Sequence, residues 1–110
     1  MEYTGYCTYY NNLNRKTASG EYFNPNAMTC AMTGEKANLG TIVKVRSEVS
    51  GRTIKVKVND HGPFERGPDG KARRPLRPDR SIIIDLTPAA FRAMVGGLGP
   101  GKVWVRVTVP

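Results

Sequence analysis

Residues 56–64 read VKVNDHGPF. Side chains alternate across an extended strand. Val56 and Val58 therefore share one face, Lys57 and Asn59 the other, and by the same count Asp60 falls on the valine face. The preceding residues, within RTIKVKVND (52–60), keep the alternation, and GTIVKVRSEV (40–49) carries a matching one. Ser50 and Gly51 lie between them, which predicts a β-hairpin over 40–60. Working outward, GYCTYY (5–10) predicts a first strand, SIIIDL (81–86) a buried strand and KVWVRVTV (102–109) a last one. TPAAFRAMVG (87–96) breaks the pattern. Thr87 is placed as N-cap with Pro88 at the first helical position, and Gly96 and Gly97 mark the helix end. AMTCAM (27–32) is short and apolar and is expected to form one helical turn. NNLNRKTASGEYFNPN (11–26) reads as loop. ERGPDGKARRPLRPDR (65–80), with three prolines and six basic residues, reads as an exposed loop.

The chain has 110 residues, enough for one domain with one core. Its 39% apolar content is ordinary for a folded protein. No apolar run approaches the roughly 20 residues of a membrane-spanning helix, so no span is expected. The opening MEYTGYCTYY is acidic and polar rather than signal-peptide-like. Two readings stand: a chain that stays inside, or the mature portion of an exported one with an added start. The net charge of +8 and the pI near 9.9 attract polyanions, whether nucleic acid, anionic lipid or acidic wall polymer. They equally suit a small basic secreted protein. No nucleic-acid motif accompanies the charge, so a nucleic-acid partner is not expected. Cys7 and Cys30, if paired, would stabilise the fold by roughly 3 kcal/mol and favour an oxidising compartment; the alternative is two buried free thiols. One histidine and two spaced cysteines form no zinc pattern, and neither a metal nor another cofactor is expected.

Asp60 and Asp85 share a context. VKVNDHGPF and SIIIDLTPAAF both run from an apolar strand into aspartate, with proline three positions later. The echo suggests two related halves. Asp85 stands just before the helix start, where its expected role is structural, accepting backbone hydrogen bonds at a turn or helix N-terminus. Structure and catalysis stay open for Asp60 on residue type alone.

TASGEYFNPNAMTCAM, GTIVKV, VNDHGPF and IIIDLTPAAF occur in that order. Together they resemble the RlpA-like (rare lipoprotein A type) double-psi β-barrel family, relatives of the expansin and barwin-like barrels, along residues 5–109. The resemblance implies a mainly-β single domain: a six-stranded double-psi β-barrel with one or two short helices. It implies lytic transglycosylases that cleave peptidoglycan glycan strands, preferring strands stripped of peptide. It also implies an extracytoplasmic site of action, for a mature chain without its signal peptide. Glu21 stands at the family's motif glutamate and Asp60 at its motif aspartate. His61 replaces an arginine, Asn24 an aspartate and Met32 a histidine.

Such an enzyme needs one group that protonates the leaving oxygen and then takes a proton from the attacking hydroxyl of the muramyl sugar. Asp60 is the candidate, with Glu21 assisting from across a groove. Tyr10, Tyr22, Asn24, His61 and Arg66 are candidate substrate-binding residues, and Asp85, Cys7 and Cys30 structural ones. Trp104 alternates away from Val103, Val105 and Val107 and is expected on the outer face, partly buried. Lys44, Arg46, Lys55 and Lys57 form a basic outer face, which also serves solubility. Peptidoglycan or another anionic polysaccharide is the expected partner, and the 65–80 loop is a candidate element for a protein partner. Two other functions compete: a non-catalytic, expansin-like wall binder, and a protease inhibitor or similar interaction protein on the same barrel.

Overall fold

A computed structural model describes residues 1–69 and 71–110. Six strands and one helix follow in order: β1 (Glu2–Tyr9), β2 (Thr29–Ala31), β3 (Ile42–Ser47), β4 (Thr53–Asp60), β5 (Ile82–Leu86), α1 (Pro88–Val95) and β6 (Lys102–Thr108). The strands close into a barrel in the order β1-β5-β2-β4-β3-β6. Two neighbouring pairs, β1–β5 and β2–β4, are parallel and the rest antiparallel. This is the double-psi β-barrel expected from the sequence.

The valine alternation builds the interior. Val43, Val45, Val56, Val58, Val103, Val105 and Val107 are all buried, and full burial of such a side chain contributes about 1.5–3 kcal/mol. The hairpin forms as expected, with Val45 opposite Ile54 and Arg46 opposite Thr53. Helix α1 adds Ala90, Phe91 and Met94 to the same core. Thr87 caps it: its Oγ1 accepts from the Ala90 N–H at 3.2 Å and donates to the Ala27 carbonyl at 2.6 Å. Gly96 ends it with φ 91°, a conformation that favours glycine. On β1, Gly5 leaves room for a neighbour: a Cβ there would stand 2.7 Å from Cγ2 of Ile83.

Three expectations are corrected. The segment at 27–32 is not a helical turn; its centre is β2, which sits between β4 and β5 with all three residues buried. Three residues are too few to display a period, and the pairing partners decide the conformation. Cys7 and Cys30 are both buried and free. Strand β5 runs between β1 and β2, so roughly 9–10 Å of sheet separates their backbones. That exceeds the roughly 7 Å a disulfide spans. The pairs Cys7–Ile84 and Cys30–Leu86 add a stagger of two residues. Burial raises both thiol pKa values, so the pair is unreactive as well as unlinked.

The third correction concerns Asp60. Cys30 pairs with Val58, but the next residue, Ala31, pairs with Asp60. One step on β2 spans two on β4, with Asn59 as the extra residue, as in a β-bulge. Asp60 is thereby turned off the valine face and onto the outer one with Ala31. The β1–β5 pair slips in the same way: Cys7 lies beside Ile84 and Tyr6 beside Ile82, leaving Ile83 extra.

Candidate active site

The two slips bring four residues into one row on the outer face. Thr8 pairs with Asp85, Asp85 with Ala31, and Ala31 with Asp60, so the row crosses β1, β5, β2 and β4. Paired residues in a sheet point to the same side. The two carboxylates therefore stand on one face with only the methyl group of Ala31 between their strands. Above this floor lies a groove of about 810 Å³, whose lining includes Tyr10, Asp60, His61, Arg66, Arg74 and Asp85.

The segment after β4 forms one wall. The sequence predicted an exposed loop at 65–80, and its described side chains are mostly exposed, but several of its described residues are tied by backbone hydrogen bonds. Glu65 N–H donates to the Arg77 carbonyl at 2.8 Å, Arg73 N–H to Glu65 at 2.9 Å and Gly67 N–H to Lys71 at 2.9 Å. Phe64 bridges to Pro78 and Arg66 to Ala72. The result is a hairpin-like arm that carries Arg66, Lys71 and Arg74 to the groove. Gly70 lies outside the described residues.

The two aspartates differ in surroundings. Asp60 is half-buried. Its Oδ1 accepts the N–H groups of Ala18 and His61, both at 2.9 Å, while its Oδ2 faces the Tyr10 hydroxyl at 3.3 Å. Tyr10 packs on Phe23 with ring centroids 4.9 Å apart. Burial, and then the Asp60 charge, push the Tyr10 phenol pKa up, so this hydroxyl stays protonated and donates. Asp85 is only 2% exposed. Its Oδ1 accepts from Thr8 Oγ1 and its Oδ2 from Arg66 Nη2 at 2.8 Å. Burial raises its pKa above the ordinary carboxyl range, although Arg66 and the Thr8 hydroxyl pull the other way.

Asp85 was expected to accept backbone hydrogen bonds at the helix start. Thr87 performs that capping, and the partners of Asp85 are the side chains of Thr8 and Arg66. The aspartate's place in the groove was missed, although the echo with Asp60 was the signal for it. Lys71 and Arg74 reach the groove as part of the basic 65–80 segment that the sequence marked, whereas Arg15 on the groove wall and Thr8 beside Asp85 were not singled out, and nothing local in the sequence marks them.

Of the expected site residues, the structure brings Tyr10, Asp60, His61, Arg66 and Asp85 to the groove. Glu21 is not among the lining residues. Lys57 lies 3.2 Å from its Oε1, and Ser19 Oγ donates to the same oxygen at 3.1 Å. Hydrogen bonds from Lys57 and Ser19 hold its pKa below the ordinary value. Its backbone carbonyl accepts from the N–H and hydroxyl of Thr17, at 2.7 and 2.9 Å. Glu21 thus belongs to the loop that presents the Ala18 N–H to Asp60. Tyr22 is 67% exposed beneath the Lys16 ammonium, and Asn24 accepts the N–H of Asn26 in an exposed turn. Met32 is fully buried in the core.

Comparison with known proteins agrees with this architecture. A family model described as "Lytic transglycolase", a double-psi β-barrel family, matches residues 2–107. A curated relative from Nostoc sp., named "Probable endolytic peptidoglycan transglycosylase RlpA", is 39% identical over 95 residues, covering 86% of this chain and 21% of its own length. The chain spans 21–26% of the length of three such curated relatives. Among solved structures, the Streptomyces papain inhibitor (SPI) matches with a TM-score of 0.71 and 25% identity, over 99% of this chain and 94% of that one. An apo expansin from Clavibacter michiganensis matches with a TM-score of 0.68 and 19% identity, over 100% of this chain and 50% of that one. From strand order, paired aspartates and family match together, the chain belongs to the RlpA-like double-psi β-barrel family of lytic transglycolases.

Proposed function

We propose that this domain cleaves the glycan strands of peptidoglycan as a lytic transglycosylase, with Asp60 as acid and base. The observation that supports it is Asp60 Oδ2, open to the groove beside the Tyr10 hydroxyl, in a chain of this family. The protonated carboxyl gives its proton to the glycosidic oxygen as the bond to the muramyl anomeric carbon breaks. The leaving sugar departs with a free hydroxyl. The C6 hydroxyl of the same muramyl residue then attacks the anomeric carbon and returns a proton to Asp60. The product is a 1,6-anhydro ring, and no water is consumed. One carboxyl suffices for both transfers.

The other residues support this one. The N–H groups of Ala18 and His61 fix Oδ1, which leaves Oδ2 for the proton. Asp85 holds the Arg66 guanidinium at the groove floor. Arg15, Lys71 and Arg74 on the walls suit a polymer that carries carboxylates. Glu21 acts at one remove, by holding the 17–21 loop. The substrate lies in the cell envelope, so the domain acts outside the cytoplasm. Peptide-free glycan strands incubated with the protein should yield 1,6-anhydro-muramyl products by mass spectrometry. Absence of those products, or their persistence in Asp60→Asn, overturns the assignment.

A second reading rests on the Streptomyces papain inhibitor, which this chain matches along nearly the whole length of both proteins. In that reading the 65–80 arm inserts into a papain-like protease. Stoichiometric inhibition of such a protease, without anhydro products from glycan, would favour it.

A further inference from the structure

Beside Asp85, strand pairing through Thr8 leads from the groove-lining row to a second surface. On the outer face of the barrel Thr8 pairs with Lys102, and Tyr6 with Trp104. Thr8 touches Asp85, and Tyr6 stands two residues back along β1 on the same face, roughly 7 Å away. Trp104 is 44% exposed and Tyr6 36%. Their rings meet edge to face, with centroids 5.0 Å apart and planes at 89°. The Lys102 ammonium sits 4.5 Å from the Tyr6 ring centroid. These contacts hold the indole in one orientation at the surface. An exposed indole adds little to the core, which Val103, Val105 and Val107 of the same strand already fill.

We propose that Trp104, held by Tyr6 and Lys102, is a sugar platform that binds the glycan strand where it leaves the groove over Thr8. The inference rests on the glycan-cleaving reading and extends it to a second subsite. An indole presents a flat apolar surface to the C–H face of a pyranose ring. The Lys102 ammonium beside it suits the carboxylate of a muramyl residue. The platform adds affinity for strands long enough to reach it and none for short fragments held in the groove alone.

Trp104 is the single tryptophan of the chain, so its emission reports the platform directly. Soluble peptide-free glycan strands are titrated into the Asp60→Asn protein, which stops turnover, and emission and calorimetric heat are both recorded. The expected result is a blue shift that saturates at the calorimetric midpoint. In the same background Trp104→Ala weakens binding of long strands about tenfold and leaves short fragments unchanged, while Trp104→Phe keeps most of the affinity. Binding heat without any change in emission overturns the platform and leaves the groove assignment standing. So does Trp104→Ala that binds long strands as tightly as its parent. The absence of both heat and emission change overturns the platform and the glycan assignment together.

Discussion

The β1–β5 and β2–β4 pairs are built alike and finished differently. Each is parallel, each slips by one residue, and each sets a buried cysteine one position before the row that carries an aspartate. In the first pair the residue beside the aspartate is Thr8, and in the second it is Ala31. Asp85 is sunk beneath a guanidinium and a hydroxyl, whereas Asp60 keeps one oxygen toward the groove. The backbone repeat supplies two carboxyl groups at equivalent places. Their neighbours leave one beside the Tyr10 hydroxyl at the groove and bury the other under Arg66 and Thr8.

Exchanging these roles by mutation tests the contrast. The largest effect is expected from Asp60→Asn: a loss of about 10²–10⁴-fold in kcat, measured as anhydro product, with the melting temperature nearly unchanged. Next comes Arg66→Met, which leaves Asp85 buried without its cation. Breaking a fully buried pair costs about 3–5 kcal/mol. Arg66 is 39% exposed, so screening reduces the expectation to about 1–2 kcal/mol in urea unfolding at pH 7. That loss should shrink as pH falls through the folded pKa of Asp85, because the protonated carboxyl needs no cation.

The pH dependence of the parent protein follows from the same carboxyl. Because burial raises the folded pKa of Asp85 above 3.8, its contribution to stability is complete below that value and is lost as pH rises through the folded pKa. Asp85→Asn should therefore flatten the decline in unfolding free energy above pH 4. Thr8→Val makes the first pair resemble the second by removing the hydroxyl donor to Asp85. It is expected to destabilise by about 1 kcal/mol, read by chemical denaturation. The smallest effect is expected from Glu21→Gln. Its carboxylate is exposed and outside the groove lining, so turnover should change at most a few-fold and melting little. A loss as deep as that of Asp60→Asn would return Glu21 to the chemistry.

The sequence made the long alternating strands legible because Val43, Val45, Val56, Val58, Val103, Val105 and Val107 keep the period of two. It hid β2, since Thr29–Ala31 has no period and is a strand only through its neighbours. The helix start was readable from Thr87 and Pro88 because capping is local. Asp60 was identified by type and motif, but the face it occupies depends on the slip at Asn59, which no alternation count includes. The Arg66–Asp85 pair joins positions 19 residues apart through a folded arm, and no sequence spacing announces it. The pairing of Glu21 with Lys57 was equally hidden, 36 residues away.

The two cysteines carry a practical consequence. Neither is linked, both are sealed in the interior, and the sheet between them holds them apart. Closure of the barrel therefore needs neither an oxidant nor a disulfide isomerase. The domain should refold as readily in dithiothreitol as in air, with the same melting temperature. A domain built this way is indifferent to the redox poise of wherever it comes to rest.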